Sequence, residues 1–311
     1  MNQICNHILM IEPAAFQFNS ETATNNFYQN NKLSESRSQQ LALEEFSAFV
    51  EKLKNKGISI TVIKDTETPI KPDAIFPNNW VSFHENGVVI LFPMWAENRR
   101  QERRLDLINR LEKKHHFKIK KQLDFSFYEK ENKFLEGTGS MVLDRKNKMC
   151  YAAISVRTHE ELVQKLCDEM NYSAILFSAN QTIKGRRVPI YHTNVMMTIA
   201  DKYAVICLET IDDTNEKEKV VKALKKTNKE IIEITASQKN CFAGNSLQVM
   251  GNDCVYLIMS SNAFHSLSSQ QVAKIESFNP ILHSDLTTIE NIGGGSARCM
   301  MAEVFLPKSK H

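Results

Sequence analysis

The sequence repeats a short pattern five times, and this repeat restricts the possible folds more than any other feature of the chain. In each copy a few small or polar residues lead into an apolar run: FPNNWVSF from Phe76, EGTGSMVL from Glu136, YHTNVMMTI from Tyr191, FAGNSLQV from Phe242 and SARCMMAEV from Ser296. The fourth residues of the copies, which we call the anchor residues, are Asn79, Gly139, Asn194, Asn245 and Cys299. Subtraction of their numbers gives separations of 60, 55, 51 and 54 residues, the length of one supersecondary unit.

Amphipathic stretches with helical spacing lie between the copies, at residues 100–114, 158–170, 215–229 and 267–278. A further stretch, residues 34–56, is followed by Gly57, a residue type that commonly ends a helix. The sequence therefore predicts an α/β fold, a five-bladed β/α propeller with pseudo-fivefold repeats of about 55 residues, as one domain over residues 1–311. An ordinary α/β sheet whose strands are similar by chance fits the spacing equally well.

Charge, hydropathy and cysteine spacing exclude several classes of function. A net charge of +3 over 311 residues, without dense Lys/Arg blocks, argues against a nucleic-acid partner. The longest apolar runs, such as residues 87–92, fall far short of the roughly 20 residues that span a bilayer. Seven cysteines are scattered singly, without the spacing of a zinc site, and the first residues do not resemble a signal peptide. We expect a cytoplasmic protein with no metal and no membrane or nucleic-acid partner; its oligomeric state stays open.

Three residues at the polar starts of the repeated units are candidates for catalysis. Cys299 follows three glycines that permit sharp turns and close approach of a ligand, and its thiolate is a nucleophile. His192 is placed to protonate a leaving amine and then to activate water. Glu136 is placed to orient the imidazole and stabilise its charge. Each residue alone has a structural explanation, as a buried cysteine, a turn histidine or a turn carboxylate, but their shared location makes the set more specific.

These motifs resemble those of the guanidino-group-modifying enzymes, the pentein superfamily of arginine deiminases, dimethylarginine dimethylaminohydrolases, succinylarginine dihydrolases and amidinotransferases. The resemblance is greatest to the amidinotransferase group called citrulline-utilisation hydrolases, and is carried by FPNNWVSFH, ENRRQERR, FLEGTGSMVLDR, PIYHTNVMM, FAGNSLQV and TIENIGGGSARCMMAEVFLP. It implies a five-bladed β/α propeller with no cofactor. It also implies that Cys299 is the nucleophile, His192 the acid/base residue and Glu136 its carboxylate partner.

The same resemblance implies substrate-binding roles for four further residues. Asp73 matches the aspartate of the Pro-Asp-x-x-Phe motif in dimethylarginine hydrolases, which contacts substrate. Arg157 resembles the arginine of their Ser-x-Arg-Thr motif and suits a bidentate grip on an α-carboxylate. Arg99 and Arg100 resemble a pair of arginines at the mouth of that site. Which of the two reaches the substrate is open, and both fit a solvated basic helix face as well.

The chain departs from the deiminase pattern at Asn79 and Asn194, where enzymes that clamp a guanidinium usually present aspartates. A carboxylate at contact distance stabilises a guanidinium by roughly 4 kcal/mol at an effective dielectric near 20, and a neutral amide loses most of this. A ureido group would lose much less. We therefore hypothesise a ureido substrate, or a guanidinium held by the charge of Glu136 alone. Succinylarginine dihydrolases resemble this chain in having asparagine at the first position, so arginine derivatives are not excluded.

The sequence thus predicts a cysteine-dependent hydrolase that attacks the guanidino or ureido carbon of a small arginine- or citrulline-like substrate and forms a covalent intermediate on Cys299. Two alternatives stay open. One is an amidinotransferase that passes the amidino group to an amine, since the second nucleophile is chosen by what the closed pocket admits. The other is a pentein that binds an amino acid without turnover.

Overall fold

The computed structural model describes residues 2–308. Within them the strands form five three-stranded sheets and one two-stranded hairpin. The strands are β1 (His7–Glu12), β2 (Ser59–Lys64), β3 (Val81–Phe83), β4 (Val88–Leu91), β5 (Lys121–Asp124), β6 (Val142–Asp144), β7 (Met149–Ala153), β8 (Ser173–Phe177), β9 (Asn180–Ile183), β10 (Arg186–Pro189), β11 (Met197–Ile199), β12 (Tyr203–Ile206), β13 (Glu230–Glu233), β14 (Leu247–Met250), β15 (Val255–Ser260), β16 (Ile281–Ser284) and β17 (Ala302–Glu303).

The five sheets share one topology, in which the central strand is antiparallel to one neighbour and parallel to the other. They define five units: β3-β4-β5, β6-β7-β8, β11-β12-β13, β14-β15-β16 and, closing across the two ends of the chain, β17-β1-β2. In the last unit Ile8 of β1 is paired with Glu303 of β17 and with Ile60 of β2. The five repeats of the sequence are therefore five copies of one supersecondary unit.

In each unit one or two α-helices connect the second and third strands, and two further short α-helices lie between units. The α-helices are α1 (Glu35–Asn55), α2 (Glu97–Arg100), α3 (Leu105–His115), α4 (Gly137–Ser140), α5 (Glu160–Met170), α6 (Thr214–Lys226), α7 (Ala236–Asn240), α8 (Ser261–Ser266) and α9 (Ser269–Glu276). Short 3-10 helices span Thr22–Thr24, Pro77–Asn79, Ser126–Glu131, Thr193–Val195 and Leu208–Thr210, and a π-helix spans Ile289–Gly293.

Four of the five predicted helices are confirmed within a few residues. For α1 the expected C-terminal glycine is also present, because Gly57 has a φ of +72° directly beyond the C-cap residue. The prediction for residues 100–114 was wrong at its start, since α2 ends at Arg100 and α3 begins only at Leu105. Between them Arg103 donates to the Phe92 carbonyl and to Glu129, and these tertiary contacts override the local helical preference.

Each of the five anchor residues lies in its own short turn, which comes just before the first strand of its unit. In these turns the N–H of Trp80 donates to the carbonyl of Pro77 at 3.2 Å, and the N–H of Cys299 donates to the carbonyl of Ser296 at 2.9 Å. Side chains of different turns contact one another: the amide of Asn78 donates to the hydroxyl of Thr138 at 3.3 Å, and the amides of Asn194 and Asn245 both contact the sulfur of Cys299.

Successive units touch one another through their first strands. A bridge joins Phe83 to Val304, and the hydroxyl of Thr198 donates to the carbonyl of Ser246 at 2.5 Å. Another bridge joins Cys5 to Val249, so the N-terminal segment contacts the unit of β14. Apolar faces of the helices pack on the sheets; for α1 the buried face includes Phe46, a member of the same core cluster as Ile8. Among residues 2–308 no helix is both long and apolar enough to cross a membrane.

Candidate active site

A small cavity opens where the anchor turns meet. It is lined by Asn26, Asp73, Phe76, Asn79, Arg99, Arg157, Tyr191, His192, Gly293, Gly294, Gly295 and Cys299. Six of the nine residues that the sequence predicted for the site are in this lining. Glu136 and Asn194 lie directly behind it, bonded to His192 and Cys299 respectively. Only Arg100 points elsewhere.

His192 and Glu136 form a buried hydrogen-bonded pair at the base of the cavity. The Nε2 atom of His192 lies 2.7 Å from Oε2 of Glu136, and the two side chains are 2% and 0% exposed. The other carboxylate oxygen accepts the backbone N–H of Trp95 at 2.9 Å. The guanidinium of Arg157 lies 3.5 Å from the Oε2 atom. The carboxylate is therefore held from three sides and fixes the plane of the imidazole ring.

The environment sets opposite protonation states for the two members of this pair. Burial alone would raise the pKa of Glu136, but Arg157 and the hydrogen bond from His192 more than compensate and hold that pKa well below its usual range. Burial lowers the pKa of His192 to about 4, although the contact with Glu136 acts in the opposite direction. At neutral pH the carboxylate is ionised and the imidazole is neutral. The Nε2–H then donates to Glu136, which leaves Nδ1 as a proton acceptor.

Gly139, the anchor of the second unit, makes room for this arrangement. A Cβ atom built on Gly139 would lie 2.8 Å from Nδ1 of His192 and 2.4 Å from Nδ2 of Asn79. Neither neighbour has freedom to withdraw, because His192 is bonded to Glu136 and Asn79 to Arg99. A side chain at this position would collide with both walls of the site.

The Cys299 thiol is held by two side-chain amides and by a glycine-rich turn. Its Sγ atom lies 3.3 Å from Nδ2 of Asn245 and 3.5 Å from Nδ2 of Asn194. The preceding Gly295 would place a Cβ 2.9 Å from the ring of Phe76, so the glycine permits the close approach that the sequence predicted. Arg298 points away from the sulfur and binds Glu303 and the carbonyl of Met301.

Arg99, rather than Arg100, reaches the cavity. Its guanidinium makes a bidentate ion pair with Glu102, at 2.8 Å for each bond, and its Nη1 donates to Oδ1 of Asn79 at 2.9 Å. Because a guanidinium only donates, this bond fixes the orientation of the Asn79 amide. Arg100 is partly exposed and donates to the carbonyls of Met94 and Trp95, outside the cavity.

Two polar atoms in the cavity wall have no hydrogen-bond partner among the described residues: Nδ2 of Asn79 and Oδ1 of Asp73. The other oxygen of Asp73 accepts from Asn19 at 2.8 Å and from Thr22 at 3.2 Å. Burial raises the pKa of Asp73, and the nearby Arg99 opposes this. Buried polar groups are normally paired, so the two atoms are suited to a ligand that offers one acceptor and one donor.

Arg157 lies between the His192–Glu136 pair and the segment that precedes α1. Its Nε donates to Oδ1 of Asn25 at 2.9 Å, its Nη2 donates to the same oxygen, and its Nη2 also donates to the carbonyl of Thr22 at 3.1 Å. The guanidinium lies 4.9 Å from the ring centre of Tyr191 and 5.6 Å from that of Trp95. In this structure Asn25 therefore accepts the hydrogen bonds of Arg157, the arginine that was predicted to bind a carboxylate.

Several residues that complete the site are not predicted from the sequence. Asn245 is an anchor residue, and this shared position was the available signal for its contact with Cys299. Glu102 carried the signal of a carboxylate three residues after Arg99. Asn19, Thr22 and Asn25 lie in a segment without periodicity or motif, and nothing in the sequence marks them. Among residues 2–308 no group of three or more His, Cys, Asp or Glu side chains is arranged to hold a metal ion.

The chain is similar to one protein family. The family model described as N,N dimethylarginine dimethylhydrolase, eukaryotic, matches residues 12–306. No curated protein matches the chain.

Solved structures with the same fold include an arginine dihydrolase from the ornithine-ammonia cycle in cyanobacteria, ArgZ. Its unliganded form has a TM-score of 0.73 and 16% sequence identity, covering 97% of this chain and 41% of that one. Its N-terminal domain, bound to product, has a TM-score of 0.71 and 17% identity, covering 97% and 99%. A histidine-to-glycine variant of dimethylarginine dimethylaminohydrolase, as an adduct with S-methyl-L-thiocitrulline, has a TM-score of 0.63 and 16% identity, covering 96% and 99%. The chain thus spans less than half of full-length ArgZ.

Proposed function

The chain belongs to the N,N dimethylarginine dimethylhydrolase family of guanidino-modifying enzymes, the pentein superfamily, and we propose that it hydrolyses an arginine-like substrate through a covalent intermediate on Cys299. The observation that carries this proposal is the convergence of Cys299 and the His192–Glu136 pair on one buried cavity. A nucleophile, a neutral base and a carboxylate that orients it are the groups that such a reaction requires. These three residues lie in three different repeated units.

The proposed reaction has two steps. His192 Nδ1 accepts the proton of the Cys299 thiol, and the sulfur attacks the trigonal carbon of the substrate to form a tetrahedral species. The C–N bond to the leaving nitrogen then breaks as His192 returns the proton to that nitrogen, which leaves a carbon–sulfur intermediate. Neutral His192 next takes a proton from water, whose oxygen attacks the same carbon. The C–S bond breaks, and the released thiolate takes back the proton that His192 holds, which restores the thiol and the neutral imidazole. Glu136 stabilises each imidazolium.

A guanidino group is the first candidate for the reacting part of the substrate. The names of the family and of the solved neighbours refer to arginine and methylated arginine. The unpartnered oxygen of Asp73 is suited to a cationic or N–H donor of such a ligand. Arg157 is proposed to hold the α-carboxylate once Asn25 has been displaced. Asn79, Asn194 and Arg99 are proposed to border the reacting group, and Arg100 is retained only as a residue at the mouth.

A ureido group is the second candidate, and the orientation of Asn79 favours it. Arg99 fixes Oδ1 of Asn79, so the unpartnered Nδ2 presents a donor to the cavity. A ureido oxygen accepts from this donor, whereas a guanidinium offers only N–H groups there. If the double change Asn79→Asp plus Asn194→Asp left the preference between guanidino and ureido ligands unchanged, the ureido assignment would be wrong.

A turnover screen tests the proposed function. Purified protein is incubated with arginine, methylated arginines, agmatine, N-succinylarginine and citrulline, and ammonia, released amine and ureido product are measured. We expect product from at least one compound, loss of it in Cys299→Ala, and retention in Cys254→Ala, whose thiol lies outside the cavity. Addition of glycine or ornithine as acceptor tests the alternative of amidino transfer. Binding of a panel compound without product in any arm would support the non-catalytic reading instead.

We also propose that the five three-stranded sheets are the blades of one β/α propeller in a single domain. The repeated strand topology and the contacts between successive units support this arrangement. A cytoplasmic location and the absence of a cofactor remain predictions from the sequence.

A further inference from the structure

Asn245 lies at the anchor position of the fourth unit, fully buried beside the candidate nucleophile. Its Nδ2 is 3.3 Å from Sγ of Cys299 and 3.0 Å from the backbone carbonyl of Asn194. Its Oδ1 accepts the backbone N–H of Arg298 at 3.1 Å. The amide thus links the turn that carries Cys299 to the turn that carries Asn194.

These partners determine which way the Asn245 amide faces. A backbone carbonyl only accepts and a backbone N–H only donates. Reversing the amide would place its oxygen against the carbonyl of Asn194 and its NH₂ group against the N–H of Arg298. One hydrogen of Nδ2 is directed to the Asn194 carbonyl, and the second is available to the sulfur. The Oδ1 atom lies farther from Sγ, at 3.7 Å, and accepts a hydrogen bond from the sulfur only while the thiol is protonated.

The turn around Asn245 has little freedom to move the amide away. The N–H of Asn245 donates to the carbonyl of Phe242 at 2.8 Å, which closes the turn. A Cβ atom on the adjacent Gly244 would lie 2.7 Å from the carbonyl oxygen of Val195, so the two anchor turns are packed backbone to backbone. The donor is therefore preorganised in front of the sulfur.

A buried thiolate needs such donors, because it has lost its hydration. Hydrogen bonds to the charged form favour ionisation, and the one cationic neighbour in sequence, Arg298, is directed to Glu303. We propose that Asn245 is a catalytic residue that donates a hydrogen bond to the Cys299 thiolate and increases its population, with Asn194 as the weaker second donor at 3.5 Å. This inference rests on the proposed function of Cys299 as the nucleophile.

The test measures thiolate formation without any substrate. Wild type, Asn245→Ala and Asn245→Ser are alkylated with iodoacetamide between pH 5 and pH 10, and the modification of the peptide that contains Cys299 is followed by mass spectrometry. We expect the midpoint of the rate profile to move up by about one pH unit in Asn245→Ala, or about tenfold less reactive thiolate below the midpoint. Asn194→Ala should produce a smaller shift in the same direction.

Asn279→Ala is the matched control, because Asn279 is also buried and hydrogen-bonded but contacts Tyr203 and Gln248 instead. Thermal unfolding of every variant separates a loss of stability from a change in ionisation. If both Asn245 variants lowered the unfolding temperature and kept the wild-type midpoint, Asn245 would be structural and the inference overturned. Since alkylation requires no turnover, a silent substrate screen with a shifted midpoint would count against the proposed function alone.

Discussion

The Nε2 atom of His192 lies 2.7 Å from Oε2 of Glu136, in a pair from which solvent is almost completely excluded. The backbone N–H of Trp95 holds the second carboxylate oxygen, so the carboxylate cannot rotate away. This relationship keeps the proton of a neutral imidazole on Nε2 and leaves Nδ1 as the base.

We expect Glu136→Gln to reduce kcat by about 10⁴-fold, a loss typical of replacing the carboxylate that orients a catalytic histidine by its amide. The amide preserves shape but stabilises the imidazolium poorly and permits the wrong tautomer. Steady-state kinetics on the substrate found in the screen would measure the effect. Glu303→Gln is the control, since Glu303 is a buried carboxylate paired with Arg145 and Arg298 outside the cavity. It should lower the unfolding temperature while kcat changes little; equal losses of kcat in both variants would contradict a specific role for Glu136.

The acidic limb of kcat/KM should lie near pH 4, rather than near the ordinary histidine value of 6.5, because burial lowers the pKa of His192 to about 4. As pH falls through this value, Nδ1 becomes protonated and the base is lost. Glu136 stays ionised throughout this range, because its pKa lies lower still. A pH–rate profile in a constant-ionic-strength buffer would measure the limb.

Glu102 provides the internal check on that assignment. Burial raises its pKa to about 7, although the ion pair with Arg99 acts against this. A limb near pH 7 that disappears in Glu102→Gln would show that Glu102, and not His192, controls the acidic side of the profile.

Gly139→Ala should reduce kcat by about 10²-fold, the effect of an ångström-scale displacement of reacting groups. The added methyl group would meet His192 and Asn79 at 2.8 and 2.4 Å, and both side chains are held by hydrogen bonds. Gly185→Asn is a suitable control, because Gly185 has open space around it and a φ of +78° that asparagine tolerates. Wild-type kcat in Gly139→Ala would mean that the histidine has more room than the structure indicates.

Much of the fold could be predicted because the repeat is periodic in the sequence itself. The anchor residues Asn79, Asn194 and Cys299 each precede an apolar run, and each proved to lie in the turn before a first strand. The start of α3 could not be predicted from periodicity, because tertiary contacts, such as that between Arg103 and Glu129, determine the conformation of residues 101–104. Local sequence carries no information about a partner 26 residues away.

The residues of the candidate site also differ in whether the sequence predicts them. Glu136, His192 and Cys299 were identifiable because each chemical group occurs at the start of a repeated unit. Asn25 was not, because its role arises from a loop that folds back over Arg157, 132 residues later. The choice between Arg99 and Arg100 depended on which face of α2 meets the cavity, and four helical residues are too few to show a periodic pattern.

The contact between Asn25 and Arg157 yields the last prediction. If Arg157 binds the substrate carboxylate, Asn25 competes with the substrate, so Asn25→Ala should lower KM by about fivefold with little change in kcat, which corresponds to the loss of one ordinary hydrogen bond of about 1 kcal/mol. Asn30→Ala is the matched control, because Asn30 lies in the same segment but bonds to Asn291 at the surface. A higher KM in Asn25→Ala would instead mean that Asn25 stays bound to Arg157 during turnover, and that the carboxylate is held elsewhere.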